Sequence, residues 1–163
     1  MLNSTTRRFW SKVAKSPSGC WVWTANKIGD GYGGFYLDGH TVQAHRFSYE
    51  LAYGVIGAGL VIDHRCHNIE CVRPSHLRAV TRKQNAENRK GARRGTASGV
   101  WGVSWEARRQ RWRARVRHNG ALVDLGYFRS RVAAGTAAQE ARVRLFTAND
   151  LDRDGEFADL TIV

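Results

Sequence analysis

The residues best equipped for chemistry lie close together: Asp63, His64, Cys66 and Cys71, followed by His76 and Asn85. Cys66 and Cys71 share one loop, and His76 stands near the start of the segment after it. Two thiolates and an imidazole are ligands that zinc takes, and a tetrahedral site needs a fourth. Cys20, beside Trp21, is the remaining cysteine and the candidate for that position. The alternative is three ordinary buried thiols and a hydrogen-bonded histidine; the use of every cysteine in the chain favours the metal. The zinc would be structural, because a domain of about 80 residues with long loops gains folding energy directly from a closed site.

His64 follows the apolar run Leu60-Val61-Ile62 and should project from the loop, where a neutral imidazole can take a proton from water. Phosphodiester hydrolysis needs such a base and a hard divalent ion to neutralise charge at the scissile phosphate. Asn85 offers an oxygen and Asp63 a carboxylate, a pair that suits Mg2+, which keeps several waters and takes few protein ligands. His45 and His67 read as packing or phosphate-contacting residues.

The charge balance agrees with a polyanionic substrate. Lys plus Arg number 26 against 14 for Asp plus Glu, a net charge of +12, which favours nucleic acid through phosphate attraction and counterion release. Double-stranded DNA is the expected partner, with RNA as the rival. Three cysteines are an odd number, and neither a secretory signal nor an apolar run of roughly 18 residues is present, so the sequence reads as a soluble intracellular protein with no disulfide framework and no membrane partner.

The elements that must hold these residues can be outlined. Gly33 to Leu37 and Thr41 to Ala44 flank Asp38-Gly39 and read as a hairpin. Arg46 to Ala52 reads as a helix, Leu60 to Ile62 as a short strand, and Ser75 to Arg89 as a helix behind Pro74. The basic, small-residue stretch from Lys90 to Gly99 has little to bury and reads as a linker able to lie along phosphates.

Beyond it, Val100 to Trp105, Arg111 to Arg117 and Ala121 to Phe128 read as strands, and Arg131 to Phe146 as an Ala-rich helix. Strict alternation puts Arg111, Arg113, Arg115 and Arg117 on one strand face and Trp112, Ala114 and Val116 on the other. The apolar face should meet a helix stripe of Val132, Ala133, Ala137, Ala141, Val143, Leu145 and Phe146. Four aligned arginines without acidic partners would repel one another in a merely solvated sheet, so the face reads as a ribbon for the DNA major groove. Asp150, Asp152, Asp154, Glu156 and Asp159 make the end of the chain acidic, and it reads as peripheral.

The run His64-Arg65-Cys66-His67-Asn68, with Cys71, Pro74, His76-Leu77 and Asn85, resembles the His-Cys box homing endonucleases of the ββα-metal, or HNH, superfamily. That resemblance implies His64 as general base, Asn85 as a ligand of the catalytic Mg2+, and Cys20, Cys66, Cys71 and His76 as ligands of a structural Zn2+. Asp63 departs from the His-Cys box pattern but resembles the Asp-His pair of phage-intron HNH enzymes, where the aspartate is a second metal ligand. The family's second zinc site has no cysteines left to build it. Its catalytic arginine has no clear match; Arg46 is the substitute, either facing the phosphate or serving as a salt-bridge partner.

Phe9 to Val13, Gly19 to Trp23 and Ala44-His45-Arg46 look like phage-encoded HNH endonucleases, which implies a phage or mobile-element source. Ser98 to Trp105, Trp112 to Val116, Leu125 to Phe128 and Ala133 to Ala141 resemble the plant APETALA-two DNA-binding domain. This second resemblance implies that Arg113, Arg115 and Arg117 face DNA, with Ser104 and Arg108 near the first turn.

The expected class is α+β. A zinc-stapled ββα-metal nuclease domain would occupy residues 5–90 and a basic linker 91–97, followed by a three-stranded antiparallel sheet packed on one helix over 98–147 and an acidic tail over 148–163. The expected activity is site-preferring, homing-type DNA cleavage giving 5′-phosphate and 3′-hydroxyl ends, with pairing of two copies on a palindrome left open. The alternative is a zinc-stabilised DNA-binding regulator without nuclease activity.

Overall fold

Asp38 and Gly39 have φ of 45° and 88°, the positive values that a tight two-residue hairpin turn needs at both central positions. The computed structural model describes residues 4–92 and 94–153, so the expected acidic tail is covered only in part: Asp154, Glu156 and Asp159 lie outside the described residues. Around that turn β4 (Tyr32–Leu37) pairs antiparallel with β5 (His40–Gln43), and β3 (Lys27–Ile28) joins the other edge of β4. The chain passes directly into α2 (Ala44–Tyr53). Ahead of these lie α1 (Ser4–Trp10) and the pair β1 (Val13–Lys15) and β2 (Trp21–Trp23).

Aromatic rings hold this part together. Phe9, Trp23, Phe35, Ala44 and Val72 are buried as one cluster, with Phe9 centred 5.0 Å from Trp23, 5.1 Å from Phe35 and 4.9 Å from Phe47. Each such ring removed from water stabilises by roughly 1.5–3 kcal/mol. A Cβ at Gly33 would lie 2.6 Å from Trp23 Cδ1, so only glycine lets β4 rest on the indole.

The candidate site follows. β6 (Val61–His64) pairs antiparallel with β7 (Leu77–Val80), Val61 opposite Val80 and His64 opposite Leu77. A loop and the 3-10 turn Pro74–His76 separate the strands, and α3 (Arg82–Glu87) comes after them. This corrects the single helix expected over Ser75 to Arg89. Leu77, Arg78 and Ala79 are good helix formers, but Leu77 and Val80 are buried and the segment pairs with β6, so tertiary context overrides propensity. The helix starts only after Thr81, whose Oγ1 accepts from Gln84 N at 3.2 Å while its own N donates to Gln84 Oε1 at 3.0 Å, a reciprocal cap.

The chain divides into two compact units, one up to Asn85 and one from Ala86. In the second, β8 (Val103–Glu106), β9 (Arg111–His118) and β10 (Ala121–Phe128) form an antiparallel sheet in the order β10-β9-β8, with α4 (Arg131–Leu145) on one face. β8 begins later than the expected Val100. Gly102 stands before it at φ 85°, where a Cβ would meet the Arg115 carbonyl oxygen at 2.6 Å.

Ser130 caps α4, its side chain accepting from Val132 N at 3.1 Å and Ala133 N at 3.4 Å. The buried helix face is Ala134, Gly135, Ala138, Ala141 and Arg142; of the expected stripe Ala141 and Phe146 are buried, whereas Val132, Ala133 and Val143 are exposed. The smallest side chains face the sheet because they let helix and sheet approach closely. Arg142 is buried because Nε and Nη2 donate to Asp152 Oδ2 and Oδ1 at 2.6 and 3.0 Å, and Nη1 donates to the Trp101 carbonyl at 2.9 Å. Asp152 lies in α5 (Asp150–Arg153), so this part of the expected peripheral tail belongs to the core of its unit.

Candidate functional site

Cys20 precedes β2, and β2 is tied to the loop after β6 by backbone bonds. Val72 N donates to Trp21 O at 2.7 Å, Trp23 N donates to Glu70 O at 2.9 Å, and Val22 bridges Cys71. Arg73 Nη1 donates to Gly19 O at 2.8 Å from the same direction. These bonds bring Cys20 beside residues far away in sequence. Cys20, Cys66, Cys71 and His76 each present one donor atom, and all four atoms lie within 4.8 Å of one another.

The distances match a tetrahedral ion. His76 Nδ1 is 3.7 Å from Cys20 Sγ and 3.7 Å from Cys71 Sγ. Zinc bonds of about 2.3 Å to sulfur and about 2.0–2.1 Å to nitrogen at tetrahedral angles would separate S and N by about 3.6 Å. The donor set is soft and closed, with Cys20 and Cys71 buried. Within the cluster the hydrogen bond between Cys66 and Cys71 pushes the Cys66 thiol up and draws the Cys71 thiol down.

His64 ends β6 and is buried. Its Nε2–H donates to the Cys71 carbonyl at 3.1 Å, which puts the hydrogen on Nε2 and the lone pair on Nδ1. Burial lowers the His64 pKa below its ordinary 6.5, and the bond to the Cys71 carbonyl opposes that shift. Cys71 therefore serves twice, with its sulfur in the Cys/His cluster and its carbonyl on the imidazole.

Asp63 directly precedes His64 on β6, close enough for its charge to oppose the lowering of the His64 pKa. Asp63 Oδ2 accepts from Arg78 Nε at 2.8 Å, across the pair that the register sets. Asn85 is exposed on α3, and Arg46 is half-buried in the first turn of α2. His45, expected as a packing or phosphate-contacting residue, packs beside the base, a contact that sequence reasoning did not point to. It is 3% exposed, with its ring centred 4.7 Å from His64 and 5.1 Å from Tyr32. Burial and the neighbouring His64 lower its pKa to about 3. Its place beside the small buried residues Ala44 and Ser48 on α2 was the available signal.

In the second unit, Arg111, Arg113, Arg115 and Arg117 alternate along β9 with half-buried Trp112 and buried Ala114 and Val116. Ser104 is opposite Arg113, and Arg108 is exposed in the turn Ala107–Arg109. The expectation of arginines without acidic partners is corrected. Arg113 Nε donates to Asp124 Oδ2 at 3.1 Å and Nη2 donates to the same oxygen, while Glu106 stands opposite Arg111. The Arg113 guanidinium holds the Asp124 carboxyl below the usual range. Arg109 and Arg113 also lie over the Tyr127 ring, at 4.7 and 5.3 Å. Arg117 Nη1 donates to Gly120 O at 3.1 Å.

The strand pair, its loop and the following helix fall within a match to the HNH endonuclease family, whose model covers residues 42–87. That span includes Arg46, Asp63, His64, Cys66, Cys71, His76 and Asn85, and leaves Cys20 outside. Among particular proteins, the chain is similar to Protein 7.7 of Escherichia phage T7, at 38% identity over 69 residues. The match takes in 42% of this chain and 53% of that protein, so the chain spans about half the length of the relative it matches. No solved structure matches. Among the described residues no helix is long and apolar enough to cross a membrane.

Proposed function

We propose that this chain is a homing-type DNA endonuclease in which His64 is the general base. The observation that carries this reading is the Nε2–H bond from His64 to the Cys71 carbonyl, made inside the HNH-matched segment. It leaves Nδ1 to take the proton of the attacking water, and the carbonyl dipole then stabilises the imidazolium. The hard oxygens of Asn85 and Asp63 fit Mg2+, which would supply charge neutralisation at the scissile phosphate and the leaving 3′ oxygen. Arg78 orients the Asp63 carboxylate. Arg46 contacts the phosphate in this reading, and a salt-bridge role is its alternative.

Zn2+ is the ion we assign to Cys20, Cys66, Cys71 and His76, on the closed S3N donor set and its spacing. The second unit acts as an APETALA-two-like module. Ser104, Arg108, Arg111, Arg113, Arg115 and Arg117 face the double-stranded DNA, chiefly its major groove and phosphates. The products are 5′-phosphate and 3′-hydroxyl ends.

Conversion of supercoiled plasmid with Mg2+ tests the reading, using wild type and His64→Ala. Wild type should cut, and His64→Ala should lose about 10²–10⁴-fold of the rate with DNA binding intact. Equal background from both proteins, with binding retained, would replace this reading with a DNA-binding regulator. Preferential competition by RNA would replace the substrate.

A further inference from the structure

His45 and Tyr32 belong to neither the metal cluster nor the assigned catalytic set, yet both rings lie near the base. His64 is centred 4.7 Å from His45, with the planes at 55°, and 6.1 Å from Tyr32, where the rings stack at 30°. His45 and Tyr32 are themselves 5.1 Å apart, which completes a triangle of rings. Three separate elements supply them: Tyr32 from β4, His45 from α2 and His64 from β6.

The hydrogen bond to Cys71 fixes the tautomer of His64 but not the ring plane, because donors approach a carbonyl oxygen over a broad range of directions. Contact with the faces of neighbouring rings sets that plane, and with it the direction of the Nδ1 lone pair. The Nδ1 of His45 is buried and finds no hydrogen-bond partner among the described residues, so at that atom the ring offers its neighbours contact and not a bond.

We propose that His45 and Tyr32 are positioning residues that hold the imidazole plane of His64 by ring contact and so aim Nδ1 at the attacking water. The inference rests on the nuclease reading above. Misplacement of a reacting group by about 1 Å costs about a hundredfold in rate, which is the scale on which loss of such a contact acts.

The test is plasmid cleavage by the full chain with Mg2+, with kcat and KM measured separately for wild type, His45→Ala, His45→Phe, Tyr32→Leu and His64→Ala. His45→Ala should lower kcat by about tenfold to a hundredfold with KM unchanged. His45→Phe keeps an aromatic face without the ring nitrogens, and it should recover most of that loss. Should His45→Ala fail to fold, Tyr32→Leu reads the same contact from the other ring and should lower kcat with KM unchanged. Wild-type kcat in both His45→Ala and Tyr32→Leu would overturn the proposal. A His45→Phe protein that folds and is as slow as His45→Ala would also overturn it, because the nitrogens would then carry the effect. Loss of cleavage in His64→Ala alone leaves the nuclease reading standing and removes this one; equal background from wild type and His64→Ala removes both.

Discussion

The two units solve the problem of a small core differently. The first gathers a handful of aromatic residues and places four metal-competent side chains beside them. The second packs small aliphatic residues between sheet and helix and closes over a buried Arg142–Asp152 pair. In the first, structure and candidate chemistry share a residue, since the Cys71 sulfur belongs to the cluster and its carbonyl holds His64. In the second they occupy opposite faces of one sheet, with Ala114 and Val116 inward and the arginines of β9 outward. Damage to the support should therefore reach function directly in the first unit and only through unfolding in the second.

His64→Ala separates the two roles of the first unit most sharply. The cleavage loss of about 10²–10⁴-fold should come without release of metal, because the side chain leaves the Cys71 sulfur in place. Metal content and cleavage measured on the same sample check this. Asp152→Ala is the counterpart in the second unit. It strands a buried guanidinium and should destabilise that unit by about 3–5 kcal/mol, read by denaturant unfolding, while the first unit keeps its metal.

Arg115→Ala touches the outward face alone. It should weaken DNA binding with little change in melting temperature, reducing the salt slope by about 1 if Arg115 meets a phosphate. An unfolded Arg115→Ala protein would contradict the separation of faces.

The smallest expected effect is in the pH dependence. The folded-state pKa values of His45 and His64 lie below 6.5, so the unfolded chain binds more protons once pH falls under that value. The first unit should lose stability progressively as pH drops from 6.5 toward about 3, the folded value of His45. The second unit has Asp124 depressed below 3.8, and the stability it contributes is present above that pH and lost only as pH falls through the lower folded value. Two thermal transitions followed from pH 7 to 4 should separate, the first unit moving earlier.

Much of this arrangement was legible because it follows from local chemistry. Asp38-Gly39 and Asn119-Gly120 announce turns that require positive φ, and the β9 alternation announces two faces. Spacing pointed to Cys66, Cys71 and His76 and elimination to Cys20, and the donor atoms of the four lie within 4.8 Å of one another. What stayed hidden depends on partners distant in sequence. Leu77 to Val80 becomes a strand only because β6 pairs with it. Arg142 looks like a surface residue in an Ala-rich helix until Asp152 reaches it. Arg113 finds Asp124 across a ladder whose register shifts between Asp124 and Gly126, and His45 meets His64 only once α2 packs beside β6.

The central claim is that the metal cluster holds both the fold and the base of the first unit. It is tested most directly by stepwise chelation of the zinc proposed at that cluster in the full chain, with Mg2+ kept in excess and with zinc content, cleavage rate and the unfolding transition of each unit measured on the same samples. The account predicts that cleavage falls in proportion to zinc while the transition of the second unit stays where it was. Full cleavage by zinc-free protein would contradict it.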